Sequence, residues 1–238
     1  MIPAPYPNPE PVRSALMLQT WSHLTFLHWR YPVAAISSRI PPGLSVDVFD
    51  GSAWVGITPF LLQGLRPPFL PALPWISRFL ETNCRTYVTG ADGKPAVWFF
   101  SLDCARLLAS IAARLSYGLP YTWSQMSMRI EDQHLTYRSW RRWPDRLART
   151  QIEVQFGDPI RPGDLETFLT ARFRLYSVRR GRLVYADIDH PPWPLCAAEA
   201  LHVEQSVTTA AGLSLPQGNP VVHYSPGTMV RVGPPDWL

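Results

Sequence analysis

Three polar side chains that could do chemistry together lie at alternate positions of one short segment, "FLETNCRTYV" (79–88). In an extended strand, residues two apart point to the same side, so Glu81, Asn83 and Arg85 share a face about 14 Å long. A carboxyl group there could move protons near neutral pH if burial raised its pKa. The guanidinium of Arg85 could hold a carboxylate through two parallel hydrogen bonds. Such a set of groups suits a small keto acid or another small carboxylate.

The same alternation is also compatible with a strand that faces water. Glu81 and Arg85 would then form an exposed ion pair, which contributes well under ~1 kcal/mol and has no function. Periodicity alone favours this second interpretation somewhat. The choice depends on whether the polar face of the strand points to solvent or into the protein.

The surrounding sequence predicts a mainly β protein. The segment "SVDVFDGSAWVGI" (45–57) alternates on both sides of an Asp-Gly pair, which predicts a hairpin. A second hairpin joins 79–88 to "AVWFFSLD" (96–103), and a third is predicted around "RRG" (179–181). Residues 163–172 predict a helical turn or a short helix. The most economical architecture is a barrel or two packed sheets.

One clear helix is predicted near residues 103–117. Asp103 is a suitable N-cap, while Gly118 and Pro120 end the helix. Four large apolar residues fall on one stripe, a pattern typical of a helix packed on a core: Leu107, Leu108, Ile111 and Leu115.

Two proline-rich segments predict neither helix nor central strand. Residues 61–78 mix prolines with leucine, phenylalanine and tryptophan, so we expect a long apolar loop that serves as a lid or an interface. Residues 1–15, with alternating prolines, predict an extended or disordered arm. The remainder, 16–238, is expected to form a single domain.

Composition narrows the classes of function. The chain has 238 residues, 46% of them hydrophobic and 17% charged, which indicates a globular protein. No apolar run reaches the ~18 residues that cross a membrane, and the N-terminus lacks the apolar region of a signal peptide. A cytoplasmic protein without a membrane partner is therefore expected. Its oligomeric state is open, and a homo-oligomer is compatible with the sequence.

The net charge of +4 comes from 21 arginines and one lysine. Arginines interleave with aromatic residues in "YRSWRRWPDRLART" (137–150), a composition found in nucleic-acid-binding patches. A solvated hairpin or loop explains this segment more simply, so no nucleic-acid partner is predicted.

Cysteines and histidines do not form a recognisable site. Cys84, Cys104 and Cys196 are odd in number and widely spaced, which predicts buried free thiols. The six histidines are scattered, and phosphate-binding and metal-binding motifs are absent. Neither a cofactor nor a metal site is predicted.

Several segments are similar to a known family: "LHWRYPV", "IPPGLSVDVFDGSAWVGITPF", "ETNCRTYV", "GKPAVWFFSLD", "ARLSYGLPY" and "VVHYSPG". Between about Trp21 and Val232 the chain resembles the YqjF-like family of uncharacterised bacterial proteins. That family is similar in fold to acetoacetate decarboxylase, which implies a mostly β barrel with a central polar cavity. The resemblance also implies that Glu81 and Arg85 point into this cavity.

In the same comparison, the paired lysines of the decarboxylase fall on Tyr121 and Thr122. An imine mechanism needs an amine nucleophile with a lowered pKa. The one lysine here, Lys94, lies in a predicted exposed turn, so Schiff-base decarboxylation is not expected. Tyr121 could instead donate a hydrogen bond or act as a weak acid, although a tyrosine that only packs its ring explains the position equally well.

His223 and Tyr224, in "HYSPG", are further candidates for the rim of the cavity. A turn at residues 225–227 explains that motif equally well.

Three functions remain open on this basis. The first is acid/base chemistry without a covalent lysine, with Glu81 as the acid/base, Arg85 as the anion anchor, and Asn83 and Tyr121 as hydrogen-bonding groups. The second is a non-catalytic module that binds or senses a small, anionic organic molecule in the same cavity. The third is an interaction protein that uses the apolar loop 61–78 as its contact surface.

Overall fold

The computed structural model describes residues 11–238, which form thirteen β-strands and four α-helices. The first half contains β1 (Met17–Tyr31), α1 (Val33–Ser37), β2 (Leu44–Val46), β3 (Ala53–Arg66), β4 (Phe79–Gly90), β5 (Pro95–Cys104) and α2 (Leu107–Tyr117). The second half contains β6 (Tyr121–Glu131), β7 (His134–Trp143), β8 (Arg149–Pro159), α3 (Asp164–Thr170), β9 (Arg174–Arg179), β10 (Arg182–Asp189), β11 (Cys196–Gln205), α4 (Val207–Ala210), β12 (Val221–Val232) and β13 (Asp236–Trp237).

Nine of these strands close into a barrel. They pair in the order β5, β6, β7, β8, β11, β12, β1, β3 and β4, and β4 pairs back to β5. Strands β9 and β10 bridge β5 to β12 and close a second circuit of seven strands, which shares β12, β1, β3, β4 and β5 with the first. A mainly β barrel with few short helices confirms the predicted fold class.

The shared strands have a protein interior on both sides. One core, which includes Leu102 and Leu175, fills the seven-stranded side. A second core, which includes Cys84 and Ile152, fills the nine-stranded side. Because side chains alternate along a strand, β4 contributes to both, and ten of its twelve residues are buried.

Two of the three predicted hairpins are confirmed, namely β4–β5 and β9–β10. The turn at 50–51 is also present and is closed by a bridge between Phe49 and Ser52. The predicted pairing around it is wrong, because β2 pairs with Val88–Gly90 of β4 and not with β3. Strand β3 pairs with β4 only as far as Thr86, so β2 satisfies the backbone groups that β3 leaves unpaired.

The predicted helix exists, but it begins later than expected, and the side that was expected to pack on the core faces outward. Asp103 is not its N-cap, since this residue lies within β5 and α2 begins at Leu107. Gly118 ends the helix in the left-handed conformation, with φ of 69°, as expected. The stripe of large apolar residues is exposed: Leu107, Leu108, Ile111 and Leu115. The opposite stripe of small residues faces an interior cavity: Ala109, Ala112, Ala113 and Ser116.

The predicted 61–78 loop is shorter than expected. Residues 61–66 continue β3, and the irregular segment spans 67–78. The first six residues precede the first proline of the segment, so they can pair with β1 as a strand. The loop carries two fully or largely exposed aromatic residues, Phe69 and Trp75, with exposed fractions of 104% and 83%.

Residues 1–10 of the predicted N-terminal arm lie outside the described part of the chain. Just after them, Val12 is buried and its carbonyl accepts a hydrogen bond from Arg231. Cys84 and Cys104 are buried free thiols, while Cys196 is only half-buried. Within residues 11–238, none of the helices combines the length and the apolar character that crossing a membrane requires.

Candidate functional site

The polar face of β4 points into the protein. Glu81, Asn83 and Arg85 are 3%, 1% and 6% exposed, which rules out an ion pair in solvent. They lie on the face of β4 that enters the seven-stranded side, where Tyr87 continues the same row within the core. Neither face of β4 is therefore exposed to solvent, since one face packs in the seven-stranded side and the other in the nine-stranded side.

Glu81 and Asn83 line an interior cavity of about 170 Å³. Its wall combines strands of the seven-stranded side with the small-residue face of α2. Most lining side chains are apolar, and those with polar groups are Gln19, Trp21, Glu81, Asn83, Ser116, Tyr117 and Tyr121. A cavity of this size is comparable to one of about 150 Å³ that holds benzene.

Tyr121 holds the carboxyl group of Glu81. Parallel pairing places Tyr121 of β6 beside Leu102 of β5, and β5 in turn lies next to β4. The Tyr121 hydroxyl donates a hydrogen bond to Oε2 of Glu81 at 3.0 Å. The structure thus brings three of the predicted site residues, Glu81, Asn83 and Tyr121, to one cavity.

The Glu81–Tyr121 pair is uncharged at neutral pH. Burial raises the pKa of Glu81 to about 8, although the hydrogen bond from Tyr121 opposes this shift. Burial raises the pKa of Tyr121 well above its ordinary value. The negative charge that Glu81 carries once it has ionised raises that pKa further. Glu81 is thus mostly protonated at pH 7, and its pKa suits it to exchange a proton near neutrality.

Two buried polar atoms among the cavity-lining residues have no hydrogen-bond partner among the described residues. They are Oδ1 of Asn83, an acceptor, and Nε1 of Trp21, a donor. Buried polar groups are normally paired, so unpaired ones indicate a bound molecule or ordered water. The cavity can therefore offer a donor, an acceptor and a carboxyl group to a small molecule.

Arg85 does not line this cavity. Its Nη2 donates to the carbonyl of Leu169 in α3 at 3.3 Å, and its guanidinium lies 5.6 Å from the ring of Phe26 and 5.7 Å from that of Tyr87. Its Nε has no partner within residues 11–238. Arg85 shares a face with Glu81, as predicted, but belongs to a neighbouring polar cluster.

His28 belongs to the same cluster as Arg85, and its tautomer follows from its partners. The Tyr87 hydroxyl donates its proton to the carbonyl of Leu169 at 2.8 Å. Consequently Nε2 of His28, which is 2.6 Å from that hydroxyl, must be the donor. Burial and nearby Arg85 lower the pKa of His28 well below its usual value, so the ring is neutral. No sequence motif marks His28 for this role.

His223 and Tyr224 point to opposite sides of β12, and neither lines the cavity. His223 faces the seven-stranded side, where its Nε2 lies 3.4 Å from Oε1 of Glu166. Tyr224 belongs to the core of the nine-stranded side and stacks on Phe156 with ring centroids 4.0 Å apart. A strand cannot place adjacent side chains in one pocket, which explains the separation.

A buried ion pair in the other interior is not predicted from the sequence. Asp103 accepts hydrogen bonds from Nε of Arg141 at 2.8 Å and from the Thr122 hydroxyl. Arg141 belongs to the segment that we expected to be solvated. It nevertheless continues the inward alternation of Leu135 and Tyr137, and this periodicity could have identified it.

Comparison with known proteins shows the family of this chain. The family model for DUF2071, an uncharacterized conserved protein, matches residues 18–229. The chain belongs to the DUF2071 family. This DUF2071 protein is 37% identical over 219 residues to the uncharacterized protein YqjF of Bacillus subtilis (strain 168), across 88% of the chain and 87% of the relative. The resemblance to the YqjF-like family is confirmed.

Solved structures share the fold of this DUF2071 protein at low sequence identity. An acetoacetate decarboxylase from Legionella pneumophila superposes with a TM-score of 0.64 and 12% identity, over 99% of this chain and 92% of that one. The enduracididine biosynthesis enzyme MppR, complexed with pyruvate, superposes with a TM-score of 0.62 and 11% identity, over 98% and 92%. At such identities the similarity shows the fold alone, and it confirms the predicted acetoacetate decarboxylase-like architecture.

Proposed function

We propose that the interior cavity binds a small organic molecule whose carbonyl or hydroxyl group lies against Glu81, Asn83 and Tyr121. The observation that carries this proposal is a buried carboxyl group, hydrogen-bonded by Tyr121, that lines a cavity of about 170 Å³. The unpaired Nε1 of Trp21 and Oδ1 of Asn83 supply further hydrogen bonds. The apolar remainder of the wall, which includes Leu102 and Phe99, accommodates the hydrocarbon part of the ligand.

Acid/base chemistry on a keto or hydroxy compound is the reaction class that these groups suit. A carboxyl group with a pKa of about 8 is protonated in most of the protein molecules at pH 7. It can give up or accept a proton at that pH. Tyr121 orients this carboxyl group through its hydrogen bond. In support, a structural neighbour, MppR, has been observed with pyruvate, a keto acid.

The proposed chemistry forms no bond to a lysine. Lys94 is exposed in the turn between β4 and β5, where its backbone N–H donates to Asp92. An imine mechanism needs an amine that is buried or lies beside another cation, and Lys94 is exposed. Glu81 and Tyr121 would therefore act on the ligand only by hydrogen bonding and proton transfer.

The sequence led us to expect an anionic ligand with a keto or hydroxy group. The geometry supports the keto or hydroxy group better than the negative charge. No residue that lines the cavity within the described chain is cationic, and a protonated Glu81 favours an uncharged group beside it. A ligand carboxylate would have to extend past Asn83 to reach the unpaired Nε of Arg85. Charged and uncharged ligands must therefore be compared directly.

A thermal-shift screen of keto acids, hydroxy acids and the matching ketones and alcohols tests the proposal. A ligand at ~100 times its Kd adds about 2.7 kcal/mol of apparent stability. Ala113→Leu, which fills the cavity from α2, should abolish the shift, while Ala91→Leu in an exposed turn should preserve it. Shifts that persist in Ala113→Leu, or no shift with any compound, would refute binding in this cavity.

Two further variants refine the result. Arg85→Met should leave the shift from an uncharged ligand intact, whereas loss of a keto-acid shift in this variant would restore the anionic alternative. For any compound that is converted, Glu81→Gln should lower the rate by ~100-fold or more. Binding without conversion would identify a non-catalytic binding or sensing module.

A further inference from the structure

The outward side of α2 forms part of a large apolar surface. We define the outer α2 face as the exposed helix residues together with the apolar residues of the adjoining loop 67–78: Leu107, Leu108, Ile111, Leu115, Phe69, Leu70, Leu73, Trp75 and Ile76. Nε of Arg106 donates to the carbonyl of Trp75 at 2.8 Å, which ties the loop to the start of the helix. The Trp75 end of the loop therefore lies beside the start of the helix, and the exposed apolar residues of both belong to this one region.

This surface is too large for an ordinary monomer. Its nine residues have exposed fractions between 40% and 104%. Each of the two aromatic side chains has about 150–250 Å² of surface, and with the seven smaller leucine and isoleucine side chains the exposed apolar area is on the order of 1,000 Å². The largest apolar patch on a typical monomer is about 300–600 Å², whereas a stable protein interface buries about 800 Å² on each partner. The exposed area is thus that of an uncovered interface.

The backbone of the loop displays its two aromatic residues in an unusual conformation. Phe69 and Trp75 have positive φ values of 68° and 73°. Bulky residues rarely adopt this region, and such strain persists only where the surrounding structure requires it. Two strained positions on one loop, both with outward aromatic side chains, indicate that their exposure serves contact with another molecule.

The inner side of α2 gives a second reason for an outer partner. The helix has 11 residues, and apart from Tyr117 at its end the side chains that it turns towards the cavity are small. A helix of this length is marginal alone and depends on packing of its apolar face. For α2 the large apolar side chains lie on the outer face, where they are 40% to 71% exposed.

We propose that the outer α2 face is the interface between two copies of this chain, related by a two-fold axis that brings α2 of each copy against the same surface of the other. A second copy supplies an apolar area that matches in size. The inference does not depend on the proposed ligand, because it concerns only the side of α2 that faces away from the cavity.

An anionic lipid surface is the competing partner. Residues 64–80 and 105–120 contain Arg66, Arg78, Arg106 and Arg114 but no acidic residue. Two of these guanidinium groups already bond to carbonyls of their own chain, Arg106 to Trp75 and Arg114 to Tyr121. The size of the apolar area favours a second copy, and the experiment below separates the two partners.

Light scattering after size-exclusion chromatography of the full chain tests the proposal. The wild-type protein should have twice the monomer mass of 27.0 kDa. The double variant Leu108→Glu, Leu115→Glu should have the monomer mass, since both leucines are about 70% exposed and tolerate a charge in the monomer. Leu215→Glu, at an exposed leucine outside this face, should remain dimeric and serves as the matched control.

The outcomes are distinct. A wild-type protein of 27.0 kDa at all concentrations would overturn the proposal, as would a double variant that stays dimeric. A monomer that sediments with phosphatidylglycerol vesicles but not with phosphatidylcholine vesicles would assign the surface to anionic lipid instead. Unchanged circular dichroism of the double variant confirms that loss of the dimer is not loss of the fold.

Discussion

The hydroxyl of Tyr121 and the carboxyl group of Glu81 are joined by a hydrogen bond of 3.0 Å, although they lie 40 residues apart in the sequence. Neither partner carries a charge at neutral pH, because burial raises both pKa values. The pair is therefore a neutral donor–acceptor unit whose charge state changes within the physiological range.

Replacing Glu81 by Gln should change how stability depends on pH. An unfolded glutamate ionises near 4.5, whereas the folded pKa is about 8. Between these values the folded chain keeps a proton that the unfolded chain releases. The stability present at low pH is therefore lost as pH rises towards 8, by at most about 1.4 kcal/mol per pH unit. Urea unfolding of wild type and Glu81→Gln between pH 5 and pH 8 measures this slope.

Glu81→Gln should lose this contribution, while the buried histidines, whose pKa values burial lowers, keep a contribution of opposite sign in both proteins. Glu199→Gln, at an exposed glutamate, should match wild type. If the slope of Glu81→Gln equals that of wild type, Glu81 is not a buried, protonated acid.

Replacing Tyr121 by Phe should move the titration of Glu81 to higher pH. The hydrogen bond from Tyr121 lowers the pKa of the carboxyl group, so its removal leaves only the opposing effects of burial and Asp103. Infrared spectroscopy of the carboxylic-acid C=O band across the pH range follows this titration, with Glu81→Gln to assign the band. Tyr117→Phe provides the control, because Tyr117 lines the same cavity but donates to the carbonyl of Gly233. Equal midpoints in wild type and Tyr121→Phe would contradict the assigned hydrogen bond.

Replacing Arg141 by Met should destabilise the protein by about 3–5 kcal/mol, since it leaves the buried carboxylate of Asp103 without its cation. The midpoint of urea unfolding measures the loss. In contrast, Arg129→Met breaks the exposed pair with Glu131 and should cost no more than about 1 kcal/mol. Similar losses in the two variants would show that Asp103 is hydrated in the folded protein.

Replacing Gly56 by Ala should destabilise the chain by about 1–3 kcal/mol through overpacking. An added Cβ would lie 2.8 Å from the imidazole of His28, which is held by its hydrogen bond to Tyr87. Gly157→Ala is the matched control, because that strand glycine has nothing within 4 Å of an added Cβ. Thermal unfolding of both variants gives the comparison, and equal melting temperatures would mean that His28 moves freely.

Much of the fold follows from local patterns, and the exceptions have a common origin. Alternation in residues 79–88 correctly predicts which side chains of β4 share a face. It does not show that both faces are buried, because that depends on β9 and β10 bridging to β12 far along the chain. Likewise, the face shared by Glu81 and Arg85 is about 14 Å long, and only tertiary packing assigns its two ends to different clusters.

The helix prediction fails for a related reason. The spacing of Leu107, Leu108, Ile111 and Leu115 shows that they share one side of α2, but not which side meets the rest of the chain. Asp103 resembles an N-cap in sequence, yet its ion pair with Arg141 requires the register of β7. Contacts between residues distant in sequence decide both cases.

The small-residue side of α2 forms one wall of the cavity that can change without a change in the sheet. Each alanine there can be enlarged by one or two carbon atoms without disturbing a hydrogen-bonded strand. An equal enlargement at Leu102 or Phe99 would strain the packed wall. Under the proposed function, the size of the ligand is therefore set in part by the 11 residues of α2, separately from the strands that line the rest of the cavity.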